Sequence, residues 1–134
     1  YPDMFETEIS CPESLKGYRI LKTSIQPLVE NALLHGILPT ESKGKITVTI
    51  EEAEGNIIVM VRDSGQGIAD DRLLKFRNRE QIVYEKNGRK HIGISNIRDR
   101  IEYLYGEPYE MKIRRRKEGG TEVMMRLPVL QDGE

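Results

Sequence analysis

Apolar and polar positions alternate from Lys45 to Ala53, where Ile46, Val48 and Ile50 interleave with Thr47 and Thr49. A period of two predicts a strand with one buried face. "NIIVMV" (Asn56 to Val61) is apolar at successive positions, which predicts a central strand covered on both faces. Glu54-Gly55-Asn56 between the two suits a hairpin turn. Residues 23–36 follow another period: Ile25, Leu28, Val29, Ala32 and Leu33 fall on one stripe at about 100° per residue, a helix. Gly36 stops it and Pro39 lies just beyond. "GISNIRDRIEYLYG" (Gly93 to Gly106) predicts a second helix. Its inward stripe is Ile94, Ile97, Ile101 and Leu104, with Arg98, Asp99 and Glu102 turned away and Tyr103, Leu104 and Tyr105 packed at its end. "YEMKIRRR" and "TEVMMRLPV" read as two strands around a turn at Glu118-Gly119-Gly120.

The remaining segments are less periodic. Met4 to Ile9 alternates weakly, as an edge strand does, and Pro12 to Lys22 reads as loop. Residues 69–91 lack a sustained period: "DDRLLKF" suggests a short helix and the remainder a mobile loop. Strands and helices mix without strict βαβ alternation. The expected fold class is therefore α+β, a two-layer sandwich with one mixed, mostly antiparallel sheet covered on one face by helices.

Composition narrows the class. A chain of 134 residues suits a single domain, 1–134. Hydrophobic residues make up 37% and charged residues 32%, as in soluble globular proteins. Lys and Arg number 21 against 22 Asp and Glu, a net charge of -1, which gives no global attraction to nucleic acid or an anionic membrane. Cys11 is alone, so no internal disulfide forms. No apolar run reaches the roughly 18–20 residues of a membrane span. The first residue is Tyr1 rather than Met, and the expectation is a piece of a longer protein.

Two glycine clusters carry the candidate chemistry. Neither GxxxxGK[ST] nor a strand-borne GxGxxG occurs. Instead Asp63 leaves the most apolar strand and meets Gly65 and Gly67, and Gly93 opens a helix. A buried carboxylate needs a partner, which the amino group of adenine supplies, and glycine lets a flat ring approach the backbone. The free N–H groups at the start of the second helix, Gly93 to Asn96, form a phosphate cradle. Asn31 and His35 lie one turn apart on the first helix, and an amide oxygen there suits a phosphate-bridging Mg²⁺. Either cluster alone also fits an ordinary turn or helix start.

In order along the chain, "QPLVENALLHG" (Gln26 to Gly36), "DSGQGI" (Asp63 to Ile68), "HIGISNIRDRI" (His91 to Ile101) and "GGTEVMMRLP" (Gly119 to Pro128) resemble the N box, first and second glycine boxes and terminal strand of the Bergerat (GHKL) ATP-binding fold. The likeness is nearest to the catalytic domain of LytS/YesM-type sensor histidine kinases and covers nearly the whole chain. The resemblance implies that Asn31 holds Mg²⁺. It implies that Asp63 accepts from the adenine amino group with Thr121 nearby, and that Gly65, Gly67 and Ile68 shape the adenine slot. It places Gly93, Ile94, Ser95 and Asn96 at the phosphate end and His35 near the phosphates or packed beside the N box. Residues 69–91 correspond to an ATP lid. Between Asp70 and Lys90 this segment holds seven basic residues against four acidic ones, a local balance of +3. The second box departs from the pattern at His91, where a small residue is usual.

The resemblance also bears on the reaction. Relatives that hydrolyse ATP or phosphorylate serine carry a glutamate one helical turn before the N-box asparagine, and here that position is Pro27. Glu30 adjoins Asn31 but projects about 100° around the helix from it. Water and serine need a base; neutral imidazole does not. The expected function is transfer of the γ-phosphoryl of Mg-ATP to a histidine on an upstream dimerisation segment, with a response regulator as next acceptor. Glu30 and His35 are the catalytic candidates. The expected setting is a cytoplasmic domain of a parent anchored in the bacterial plasma membrane. Alternatives are a serine kinase of the anti-sigma-factor type and a non-enzymatic, ATP-gated interaction domain. "RRRK" (Arg114 to Lys117), without interleaved aromatics, reads as a solvated strand end rather than a nucleic-acid surface.

Overall fold

The structure, a computed structural model, describes residues 5–10, 19–37, 40, 43–80, 83–86, 89–92 and 94–129. Gly93, Cys11 and Pro39 lie outside the described residues. The elements in chain order are β1 (Phe5–Ser10), α1 (Arg19–Asn31), a π-helical turn (Ala32–Ile37), β2 (Gly44–Ala53), β3 (Asn56–Asp63), α2 (Asp70–Arg77), β4 (Val83–Lys86), β5 (Arg89–Ile92), α3 (Ile94–Tyr105), β6 (Glu110–Arg115) and β7 (Thr121–Pro128). Five strands form one sheet in the order β1-β2-β3-β7-β6, and β4 and β5 form a separate hairpin. The pair β1–β2 is parallel, with Phe5 opposite Gly44. The pairs β2–β3, β3–β7 and β6–β7 are antiparallel. This is the expected α+β sandwich, with β3 central and β1 at an edge.

One sheet face holds the core. Ile46, Val48 and Ile50 of β2, Ile57, Val59 and Val61 of β3, and Val123, Met125 and Leu127 of β7 all point to it and are buried. Leu28 of α1, Ile37 of the π-helical turn and Ile101 of α3 cover them. Each fully buried Leu, Ile or Val contributes about 1.5–3 kcal/mol by leaving water, so this shared face accounts for the layer arrangement. The turn joining β2 to β3 has Glu54 and Gly55 at φ 54° and 79°, the left-handed pair that tight hairpins favour.

Several expectations need correction. α1 begins at Arg19, so residues 19–22 are helix rather than loop. Pro27 consequently sits inside the helix, where it removes one main-chain donor. Gly36 does not end the helical segment, which widens into the π-helical turn and runs to Ile37. There the Thr40 hydroxyl donates to the Ile37 carbonyl at 2.7 Å. The second face of β3 is half-buried rather than covered, because β3 alternates between the helix layer and a side shielded only by long side chains. On that open side Glu122 is buried between Arg62 and Arg114, at 2.6 Å and 2.9 Å. The segment after α2 contains the β4–β5 hairpin rather than loop alone.

The buried stripe of α3 is also rotated from the expected one. Ile94, Ser95, Arg98 and Ile101 are buried, while Leu104 is exposed and Tyr103 is 88% exposed. Tyr105 does pack at the helix end, edge-on to Tyr109 at 6.0 Å. Arg98 turns inward because it has partners there. Its guanidinium lies 4.5 Å from the Phe76 ring centroid and donates to the Phe76 carbonyl at 2.5 Å, with Asp99 at 2.9 Å. Planar guanidinium stacks on an aromatic face and keeps its charge paired.

Candidate functional site

Asp63 ends β3 at the point where the core face meets the loops, and it is buried. Its Oδ1 accepts from the Gly65 N–H at 2.9 Å and from the Thr121 N–H at 3.3 Å. Both bonds fall on one carboxylate oxygen. Burial pushes the Asp63 pKa above its ordinary value, and those two N–H groups and the charge of Arg116 partly oppose the rise. Thr121 thus meets Asp63 through its main chain.

The π-helical turn closes onto the loop after β3. Gln66 donates its main-chain N–H to the Gly36 carbonyl at 2.9 Å and its side-chain amide to the His35 carbonyl at 2.9 Å. The extra-wide turn aims these two carbonyls at the loop, and such turns recur at functional sites. The fit allows no Cβ. A methyl at Gly36 would meet Asp63 Oδ1 at 2.6 Å, and one at Gly65 would meet the Gly36 carbonyl oxygen at 2.0 Å. Gly65 is therefore demanded by contact with the chain itself. Gly67 differs: its φ is +83° and the nearest atom to a Cβ there is 3.4 Å away, so conformation is what selects glycine.

His35 is half-buried, and its Nδ1 accepts from Arg72 Nη1 of α2 at 3.3 Å. Burial, then the Arg72 charge, lowers its pKa. Arg116 reaches the same region, donating from Nη1 to the Asp63 carbonyl at 2.8 Å. Arg115 pairs with Asp70 at the start of α2, at 2.6 Å. Arg72 thus borders His35, Arg116 borders Asp63, and Arg115 lies near Gly67.

Among the residues expected from the sequence, Asp63, Gly65, Thr121 and His35 meet at this junction through the bonds above. Gly67 and Ile68 continue the same loop, with Ile68 packed on the core. Glu30 and Asn31 are half-buried in the last turn of α1, one turn before His35. Ile94 and Ser95 are buried and Asn96 is exposed, at the start of α3 beside α1. The side chain of Ile94 belongs to the core, so its main-chain N–H is what it can offer a ligand. Gln66, Gly36, Arg72, Gly120 and Arg116 were not anticipated as site residues. Gly36, Gln66 and Gly120 lie inside the boxes and Arg72 inside the lid, but no role was read for them individually; the "RRRK" reading as a solvated strand end holds for exposed Arg114 and Arg115 but not for half-buried Arg116.

Comparison with known proteins gives a consistent placement. The family described as histidine kinase-, DNA gyrase B-, and HSP90-like ATPase matches residues 18–131. The sensor histidine kinase YpdA of Escherichia coli (strain K12) is 38% identical over 104 residues, 78% of this chain and 17% of that protein. The sensor histidine kinase YesM of Bacillus subtilis (strain 168) is 30% identical over 128 residues, 96% of this chain and 20% of that protein. The chain thus spans 17–20% of the length of these curated relatives. The solved catalytic domain of histidine kinase ThkA superposes with a TM-score of 0.67 at 24% identity, covering 93% of this chain and 78% of that one. ThkA in complex with the response regulator TrrA matches with a TM-score of 0.59 at 22% identity, covering 97% of this chain and 35% of that one.

Proposed function

The chain belongs to the histidine kinase-, DNA gyrase B-, and HSP90-like ATPase family, and from that membership we propose that it is the ATP-binding catalytic domain of a two-component sensor histidine kinase. The reaction is transfer of the γ-phosphoryl group of Mg-ATP to a histidine on a dimerisation segment of a larger kinase. A response-regulator aspartate is the next acceptor, a reading supported by the ThkA–TrrA complex.

The observation that carries the proposal is the buried carboxylate of Asp63, held through Oδ1 by two N–H groups at a junction where glycines take the place of side chains. With Oδ1 engaged, Oδ2 is the acceptor for the adenine amino group. Gly65, Gly67, Ile68 and Thr121 border the base. The main-chain N–H groups of Gly93 to Asn96 and the cationic residues of the lid, 69–91, serve the phosphates. No described helix is long and apolar enough to cross a membrane; anchoring in the bacterial plasma membrane belongs to the parent kinase.

Among the described residues no group of three or more His, Cys, Asp or Glu is placed to hold a metal ion. That suits Mg²⁺ as a nucleotide-borne ion, which takes one or two protein oxygens beside phosphates and water. The half-buried Asn31 supplies such an oxygen. Bound Mg²⁺ neutralises charge on the phosphates. The chain's own work is to position the nucleotide and exclude water, since phosphoryl transfer depends on placement and electrostatics. Pro27, exposed one turn before Asn31, leaves no base at that place for activating water or serine, which favours a histidine acceptor.

The test is phosphotransfer from γ-labelled ATP. The 134-residue chain alone acquires no phosphohistidine, and addition of the parent's dimerisation segment yields acid-labile label on that segment. Acid-stable label on a serine of an added partner would select the serine-kinase reading instead. Nucleotide binding with no transfer after that addition would select an ATP-gated interaction domain.

A further inference from the structure

We propose that Arg116 is a positioning residue for Asp63, fixing the end of β3 so that the carboxylate presents one oxygen to the nucleotide. The proposal rests on the reading of Asp63 as the acid that meets the adenine amino group, and it adds a residue that no box of the family resemblance includes.

Three features single out Arg116 from its neighbours. Its guanidinium turns inward, with Nη1 2.8 Å from the Asp63 carbonyl oxygen. Arg114 and Arg115 are exposed and pair with Glu122 and Asp70, whereas Arg116 is half-buried, with its Nε 3.5 Å from the exposed Glu118 carboxylate. Second, the β3–β7 register ends at Arg62 opposite Glu122, so Asp63 lies one residue beyond the last paired position. A main-chain carbonyl at such a place needs its own donor. Third, the hairpin loop is shaped to bring the guanidinium there. The Arg116 N–H donates to the Gly120 carbonyl at 2.9 Å. Gly120 has φ +91°, and a Cβ on it would lie 1.9 Å from the same Asp63 carbonyl oxygen. Asp63 is therefore held at its carbonyl by Arg116, packed under Gly120, and held at Oδ1 by the N–H groups of Gly65 and Thr121.

The guanidinium charge has a second consequence. Among the described residues, Arg116 is the cation whose charge favours ionised Asp63 against the burial that disfavours it. An ionised carboxylate is the stronger acceptor for an amino group.

The experiment compares Arg116→Met, Arg116→Lys and, as a control on the exposed neighbouring cation, Lys117→Met. ATP affinity is measured by calorimetry across the acid range, and the Asp63 carboxyl is titrated by carbon NMR without nucleotide. Arg116→Met is expected to weaken ATP binding about tenfold, to move the acid limb of binding to higher pH, and to raise the Asp63 titration midpoint. Arg116→Lys is expected to restore the midpoint and part of the affinity, and Lys117→Met to match the wild type. The result that overturns the proposal is an Asp63 midpoint and an ATP affinity in Arg116→Met unchanged from wild type. If Arg116→Met does not fold, Arg116→Lys decides: loss of the planar guanidinium that reaches the Asp63 carbonyl must still weaken ATP binding, and wild-type affinity and acid limb overturn the idea. The nucleotide-free titration reads Arg116 independently of ATP. Unchanged ATP binding in Asp63→Asn alongside a shifted midpoint in Arg116→Met would therefore refute the nucleotide reading and not the positioning contact.

Discussion

At the scale of single residues, His35 and Asp63 titrate in opposite senses for one reason: burial disfavours whichever form is charged. Burial and then the Arg72 charge lower the His35 pKa below its ordinary 6.5. The unfolded chain therefore takes up this proton at higher pH than the folded chain. The resulting stability is full above the unfolded pKa and is lost as pH falls through the folded one. Urea unfolding between about pH 7 and about pH 5 should show stability falling more steeply in the wild type than in His35→Gln; parallel slopes would contradict this. Asp63 behaves inversely. Its raised pKa means that its contribution is present below the ordinary value of 3.8 and is lost as pH rises through the folded pKa. A buried acid whose pKa is raised by desolvation is the kind of group that marks a candidate functional site.

At the scale of elements, α2, which opens the lid segment, and α3, which follows it, are clamped together. Arg98 of α3 stacks on Phe76 of α2 and bonds its carbonyl, and Arg79 pairs with Glu102. Arg98→Ala should destabilise the chain by about 2 kcal/mol, because it removes a buried charged donor from the Phe76 carbonyl, leaving that oxygen only the Arg79 N–H at 3.2 Å, and empties a packed site. Urea denaturation measures this, and a change below about 0.5 kcal/mol would contradict the clamp. Much of the element plan was legible beforehand. The period-two stretches of β2 and the turns at Gly55 and Gly119 carried their own signals. Other parts were hidden for physical reasons. β4 and β5 have four residues each, too few for alternation to stand out. Arg98 is charged, and nothing local tells that Phe76, 22 residues earlier, will receive it. The glycines at 36 and 65 looked like a helix stop and a ligand slot. Their reason is close contact, of Gly36 with the Asp63 carboxylate and of Gly65 with the Gly36 backbone, which depends on the tertiary fold. Asp63 was legible because an acid ending the most apolar strand is costly without a partner.

At the scale of the whole molecule, a sheet covered on one face by helices brings the end of β3, the π-helical turn and the start of β7 to one rim. The family match over residues 18–131 and the likeness to the ThkA catalytic domain at a TM-score of 0.67 agree with that architecture. The central claim is that this rim receives Mg-ATP through Asp63. Calorimetric titration of the wild type and Asp63→Asn with Mg-ATP, with thermal unfolding of both as a check on the fold, tests it most directly. The predicted result is saturable binding of one nucleotide by the wild type and none by the well-folded variant. Equal affinity in the two proteins would contradict it.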